Sequence, residues 1–171
     1  MKKALLFLIL TLCTLTLSAQ ESRMFRKGYR GSVEIGNYAI FGKDIYGGIA
    51  QLTVTQGYSF GNGAFVGLGI GVGIDPIGES YIPFYMDAKY NFIDGQVSPF
   101  ASVRTGMRLG ISRSFQSFNI DLGGGVDFGR FSIKLGYEFA TTCALVVDSR
   151  YGHSWSMGKP SMLFCSFAFN F

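Results

Sequence analysis

The sequence predicts an all-β protein, an eight-stranded antiparallel up-and-down transmembrane β-barrel preceded by a cleavable signal peptide. Three observations carry that expectation. Apolar residues recur at every second position through most of the chain after residue 28, the period of a strand with one apolar face. Tight glycine or Asp-Gly turns alternate with longer connections between these stretches, as in a chain of hairpins. The composition is rich in phenylalanine, with 17 Phe against one Trp, and holds 24 glycines in 171 residues, roughly twice the usual ~7%. Charged residues are 15%, against roughly 25% in an ordinary soluble domain. A disordered chain needs low hydrophobicity and high net charge, so disorder is excluded. The absence of a Gly-x-y period excludes collagen, and the length suits one domain.

The N-terminus reads as residues 1–19 of signal peptide. Lys2 and Lys3 form the positive region, and Ala4 to Leu17 is uncharged and mostly leucine. Leu17-Ser18-Ala19 then supplies a small residue for cleavage before Gln20 and Glu21. The apolar stretch is shorter than the about 20 residues of a membrane anchor. Cys13 follows Leu12 rather than a small residue, which argues against a lipoprotein signal. Of 15 Lys and Arg, loss of Lys2 and Lys3 leaves 13 against 11 Asp and Glu. The basic balance of the precursor therefore gives no argument for nucleic acid. Residues 20–27 are expected to be a short periplasmic segment, and 28–171 the barrel.

The first strand, 28–40, is the weakest, with Val33 and Ile35 set against Arg30, Ser32 and Glu34. In 50–60, Leu52, Val54, Tyr58 and Phe60 oppose Gln51, Thr53, Thr55 and Ser59. The clearest is 64–74, where Val66, Leu68, Ile70, Val72 and Ile74 alternate with four glycines. Residues 81–92 set Ile82, Phe84 and Met86 against Tyr85, Asp87, Lys89 and Asn91, and 100–111 set Val103, Met107 and Leu109 against Arg104 and Arg108. In 118–128, Phe118, Ile120 and Leu122 oppose Asp121 and Asp127, and in 131–139 Ile133, Leu135 and Phe139 oppose Lys134 and Glu138. The last, 161–171, carries Leu163, Cys165, Phe167, Phe169 and Phe171 on one face. The tight turns fall at 61–63, 93–96 and 129–130. The longer connections are expected at 41–48, 75–80, 112–117 and 140–159.

Alternation alone also fits a soluble barrel with an apolar cavity. The glycine row 67–73 favours the inverted arrangement, because glycine weakens a strand and adds nothing to a watery surface, whereas inside a narrow barrel it leaves room for large neighbours. The aromatic residues Tyr58, Phe60, Tyr90, Phe92, Phe128, Phe131, Phe169 and Phe171 all map to the short-turn end of the apolar face, like an interfacial girdle. The other face then becomes the lumen. It holds Arg30, Lys89, Arg104, Arg108 and Lys134 with Glu34, Asp87, Asp121, Asp127 and Glu138. The expectation is a closed, charge-paired interior, since eight strands enclose only side chains or one small ligand. Strand neighbours suggest Arg104 and Arg108 pairing with Asp87 and with Asp121 or Asp127.

The signal peptide, the segment Pro83-Phe84-Tyr85-Met86-Asp87-Ala88-Lys89-Tyr90-Asn91-Phe92, the strand start Pro99-Phe100-Ala101-Ser102-Val103 and the terminus Phe167-Ala168-Phe169-Asn170-Phe171 resemble the small OmpA/OmpX-like outer-membrane β-barrels of Gram-negative bacteria. The resemblance implies location in the outer membrane, contact with its lipid, and reading of Phe167, Phe169 and Phe171 by the outer-membrane assembly machinery. It implies no shared catalytic residues and no cofactor.

Other chemistry is weakly supported. His153, the only histidine, lies with Ser154, Ser156 and Asp148 in the longest connection. Some outer-membrane barrels modify lipid A acyl chains with a His and a Ser, but those sit on a strand at the bilayer face. The expectation is therefore not an enzyme, with a lipid-modifying enzyme as the alternative and a narrow solute channel behind it. The 140–159 connection is a candidate surface for an unknown partner. The sequence has no Cys or His cluster with metal spacing, and Cys143 and Cys165 map too far apart to satisfy disulfide geometry. No helix follows the glycine row to make a phosphate loop.

Overall fold

In a computed structural model the described residues are 25–41, 48–74, 78, 80–111, 115–148, 152–158 and 161–171. The expected signal peptide and most of the segment after it lie outside them. Nine strands form: β1 (Lys27–Phe41), β2 (Gly48–Phe60), β3 (Ala64–Ile74), β4 (Ser80–Asn91), β5 (Val97–Gly110), β6 (Phe115–Phe128), β7 (Phe131–Asp148), β8 (Gly152–Gly158) and β9 (Ser161–Asn170). Eight of them close a ring. Each of β1 to β7 pairs antiparallel with the next, β7 also pairs with β9, and β9 returns to β1. At the seam Val33 stands opposite Phe169 and Ile35 opposite Phe167. Two backbone hydrogen bonds of 2.9 Å between Gly31 and Phe171 complete it.

The eight-stranded barrel is the one expected, but one connection differs. Residues 140–159 are not simply a loop. β7 runs on to Asp148 and β8 returns beside it, from Thr142 opposite Gly158 to Asp148 opposite Gly152. The run Thr141 to Val147 is rich in β-branched residues, which suit a pleated ribbon. The short turns require glycine at defined points. Gly63 and Gly129 have φ of 89° and 61°, a region unfavourable for residues with a Cβ.

The polarity of the barrel is inverted relative to a soluble protein. Leu68 is 69% exposed and Leu135 60%, while Arg104 is 2% exposed and Glu138 0%. A contiguous apolar outer wall of this kind has to face hydrocarbon rather than water. Closure satisfies the strand edges, the condition for β-structure in lipid. The girdle residues Tyr58, Phe60, Tyr90, Phe92, Phe128, Phe131 and Phe171 are exposed outward at the short-turn end, and Tyr29 joins them. Cys165 is a free, exposed thiol on the outer face. It stands level with Leu135 and Asn37, whereas Cys143 stands level with Gln116 and Met157.

Candidate functional site: the barrel interior

Inward glycines make the interior possible. A Cβ at Gly69 would run into the Tyr85 ring, one at Gly73 into the Tyr81 ring, and one at Gly136 into the Phe164 ring. Each glycine is thus the berth of an aromatic side chain from the neighbouring strand, lying along the inner wall. The rings in turn carry the cations. The Arg104 guanidinium lies 4.1 Å from the Tyr85 centroid, Arg108 5.0 Å from Tyr38 and 5.3 Å from Tyr81, and Lys134 5.4 Å from Phe164. Such contacts strengthen when desolvated.

The carboxylates complete the stack, with most partners on strands that are not adjacent in the ring. Arg104 on β5 donates to Glu34 on the opposite wall, at 2.7 and 3.3 Å, and to Asp87 at 3.2 Å. Lys134 Nζ reaches the same Glu34 carboxylate at 3.2 Å. Arg108 binds Glu138 in a two-pronged pair, both contacts 2.5 Å. Nearer the short turns, Lys89 lies 2.7 Å from Asp127, which also accepts from Asn91 at 2.6 Å and Ser132 at 2.5 Å.

The expected neighbour pair Arg104–Asp87 forms, but the pairing expected with Asp121 or Asp127 on the following strand does not. Asp121 stands opposite Arg104 in the register, yet neither Arg104 nor Arg108 pairs with it. Asp121 accepts a hydrogen bond from Asn119 at 3.1 Å and faces Glu138 across the β6–β7 register. Inward side chains converge on the axis of a narrow barrel, so a long arginine reaches the far wall as readily as its neighbour. Of the ten expected lumen charges, Glu34, Asp87, Arg104 and Lys134 meet in one cluster, Arg108 and Glu138 in a second, and Lys89 and Asp127 in a third. Arg30 lies inward near Asp127, and Asp121 stays apart from the cations.

The sequence reading missed the aromatic half of this interior. Tyr38, Tyr81, Phe100 and Phe164 are buried, and their signal was the alternation itself, which puts each opposite an outward apolar neighbour. The other candidates fall elsewhere. His153 and Ser154 are in β8, opposite Val147 and Val146, Ser156 is opposite Ala144, and Asp148 ends β7. They belong to a paired ribbon rather than to an open connection. Phe167 and Phe169 are on β9 beside the seam, with Phe171 just beyond it.

The interior is not filled evenly. The loop-side half is occupied by Arg108, Glu138, Tyr38, Tyr81, Met162 and Phe164, all buried. The short-turn half opens into a cavity of about 420 Å³ whose walls include Arg30, Lys89, Asn91, Phe100 and Asp127.

The closed ring has a counterpart among solved structures. Over 84% of this chain and 97% of the other, it superposes on the crystal structure of Neisserial surface protein A with a TM-score of 0.54 at 11% identity. The two chains share a fold. The N-terminal β-barrel domain of Pseudomonas aeruginosa OprF aligns over 85% of this chain and 100% of that domain, with a TM-score of 0.49 and 16% identity. A de novo designed transmembrane β-barrel gives 0.49 at 10% identity, over 84% and 94%. No protein-family model matches the chain, and no curated protein matches it in sequence. The resemblance carried by Pro83–Phe92 and the Phe-rich terminus therefore holds at the level of the fold.

Proposed function

We propose that this chain is an integral outer-membrane protein without enzymatic activity, closed to ion flow, which acts as a wall element and presents its loop-side β7–β8 ribbon to a partner. The observation that carries this reading is the interior itself. Arg104, Arg108, Lys89 and Lys134 are each taken up by a carboxylate, in contacts of 2.5–3.3 Å, and the loop-side stack fills its half of the lumen. Buried charges persist when paired and hydrogen-bonded, and a plug of this kind is a stable end in itself. The Phe167, Phe169 and Phe171 face is proposed as the signal for the assembly machinery, and the outer wall as the surface that meets outer-membrane lipid. Planar-bilayer recording tests the closure. The expected record is flat, and stable nanosiemens-scale openings from the intact barrel would instead establish a channel.

A further inference from the structure

The cavity at the short-turn end has a composition that plugging alone does not require. Six of its lining residues are cationic, Arg26, Lys27, Arg30, Lys89, Arg130 and Lys134, against three acidic ones, Glu34, Asp87 and Asp127. With Asp94, whose charge acts on Arg30 at the rim, counted beside these wall residues, the described groups there carry a surplus of two positive charges. Two of the acids, Glu34 and Asp87, are also held from beneath by Arg104, which is not part of the wall and adds to the positive field. The loop-side half contrasts with this. There Arg108, the single cation among the described residues, pairs with Glu138, and Asp121 adds a second carboxylate, so the surplus is confined to one end.

We propose that this vestibule is a binding site for a small phosphate-bearing anion that enters from the short-turn side. The volume, about 420 Å³, lies within the ~300–1,000 Å³ of small-molecule sites. A recess with low-dielectric walls and one sign of charge focuses its field and concentrates counter-ions. The stacked side chains above make it a dead end rather than a path. A phosphomonoester carries about −1.5 to −2 at pH 7 and three strong acceptor oxygens, a better match to this surplus than a single carboxylate. Arginine and lysine are the side chains suited to it. Ser32, Ser102 and Asn170 on the same wall supply neutral hydrogen-bonding groups for the rest of such a molecule, and the Phe65 and Phe100 rings supply flat apolar ones.

Inorganic pyrophosphate is the probe, titrated calorimetrically into the full barrel in phosphatidylcholine nanodiscs, with choline as a cationic control. The expected result is saturable binding of pyrophosphate and none of choline. Affinity should fall about tenfold or more in R26Q/K27Q and in R30Q, the loss of roughly 1.4 kcal/mol or more of charge-assisted contact. Arg26 and Lys27 are exposed, so the first variant keeps the test valid if R30Q does not assemble. Folding of each is checked by heat-modifiable migration. Absence of saturable binding, or equal affinity in wild type and R26Q/K27Q, overturns the proposal. Repeating the titration in phosphatidylglycerol separates the two sources of phosphate. Weaker binding there assigns the site to a lipid headgroup, and unchanged binding assigns it to a soluble anion. Closure to ions is read separately by the bilayer recording, so either result leaves the other standing.

Discussion

The two halves of the lumen are built from the same strands and the same residue types, yet one is solid and the other hollow. In the loop-side half the glycines of β3 and β7 sit beneath rings, and the rings sit beneath arginines. In the short-turn half Phe65 and Phe100 also lie over glycines, at Gly67 and Gly125, but the lysines and arginines outnumber the acids. The difference shows that charge in a barrel interior does not by itself fill or open it. Lys89 has both the Phe100 ring and the Asp127 carboxylate and still borders the cavity, so what separates the halves is the cluster of Tyr38, Tyr81, Met162 and Phe164 packed together in the solid one.

The largest effect is expected where the hollow half closes. The Phe171 ring packs against Gly31 at the rim of the vestibule. Deleting Phe171 should leave exported chain that lacks heat-modifiable migration in the outer-membrane fraction, while Asn170→Ala should assemble. Normal assembly of the deletion would remove the assembly role from this end.

Next in size is the solid half. Arg104→Ala strands Asp87, leaves Glu34 with Lys134 alone, and should cost about 3–5 kcal/mol in urea titration of the refolded barrel. Asp121→Asn, at the acid that holds no cation, should change stability by about 1 kcal/mol or less. Similar costs for the two would erase the distinction between paired and unpaired carboxylates.

The outer wall gives the third measurement. Leu68→Arg puts a cation in mid-strand on the lipid face and should cost about 2–4 kcal/mol. A neutral result in the same titration would move Leu68 out of the hydrocarbon.

The smallest test compares one enlargement in both halves. Thr53 is buried at 1% exposure, and Thr53→Gln should cost about 1–3 kcal/mol by overpacking. Ser32→Gln, which points into the vestibule, should stay within about 0.5 kcal/mol. Equal costs would mean that the vestibule is as tightly filled as the plug.

Most of the wall was legible in the sequence because period-two alternation fixes both the strand and its inward face. Leu68 and Ile70 outside, Arg104 and Asp87 inside, and the turn at Gly129 all follow from spacing. The pairing inside was not legible. Register tells which residues stand side by side, as Asp121 and Arg104 do, but the contact of Arg104 with Glu34 spans the barrel and depends on the reach of a side chain in three dimensions. The β7–β8 ribbon was missed for another reason. Its residues continue a strand past the level where its wall partner β9 begins, and a hydropathy pattern has no mark for where the wall stops. The vestibule was hidden because a formal charge balance over the whole lumen conceals its separation into a positive end and a negative one.

The seam between β1 and β9 has a consequence for how the molecule is made. Around the ring, the pairings from β1 to β7 join strands adjacent in the chain, and β7 to β9 needs only the short β8 ribbon between them. The seam alone joins Ser32 to Asn170, nearly the whole length of the chain. Hairpins can therefore form early at low entropic cost, while the longest loop closes in a single late step. Until it does, two strand edges carry open N–H and C=O groups that hydrocarbon cannot satisfy. An incomplete ring has no comfortable place in a bilayer, so insertion and closure must proceed as one cooperative event, with the last strand acting as the latch.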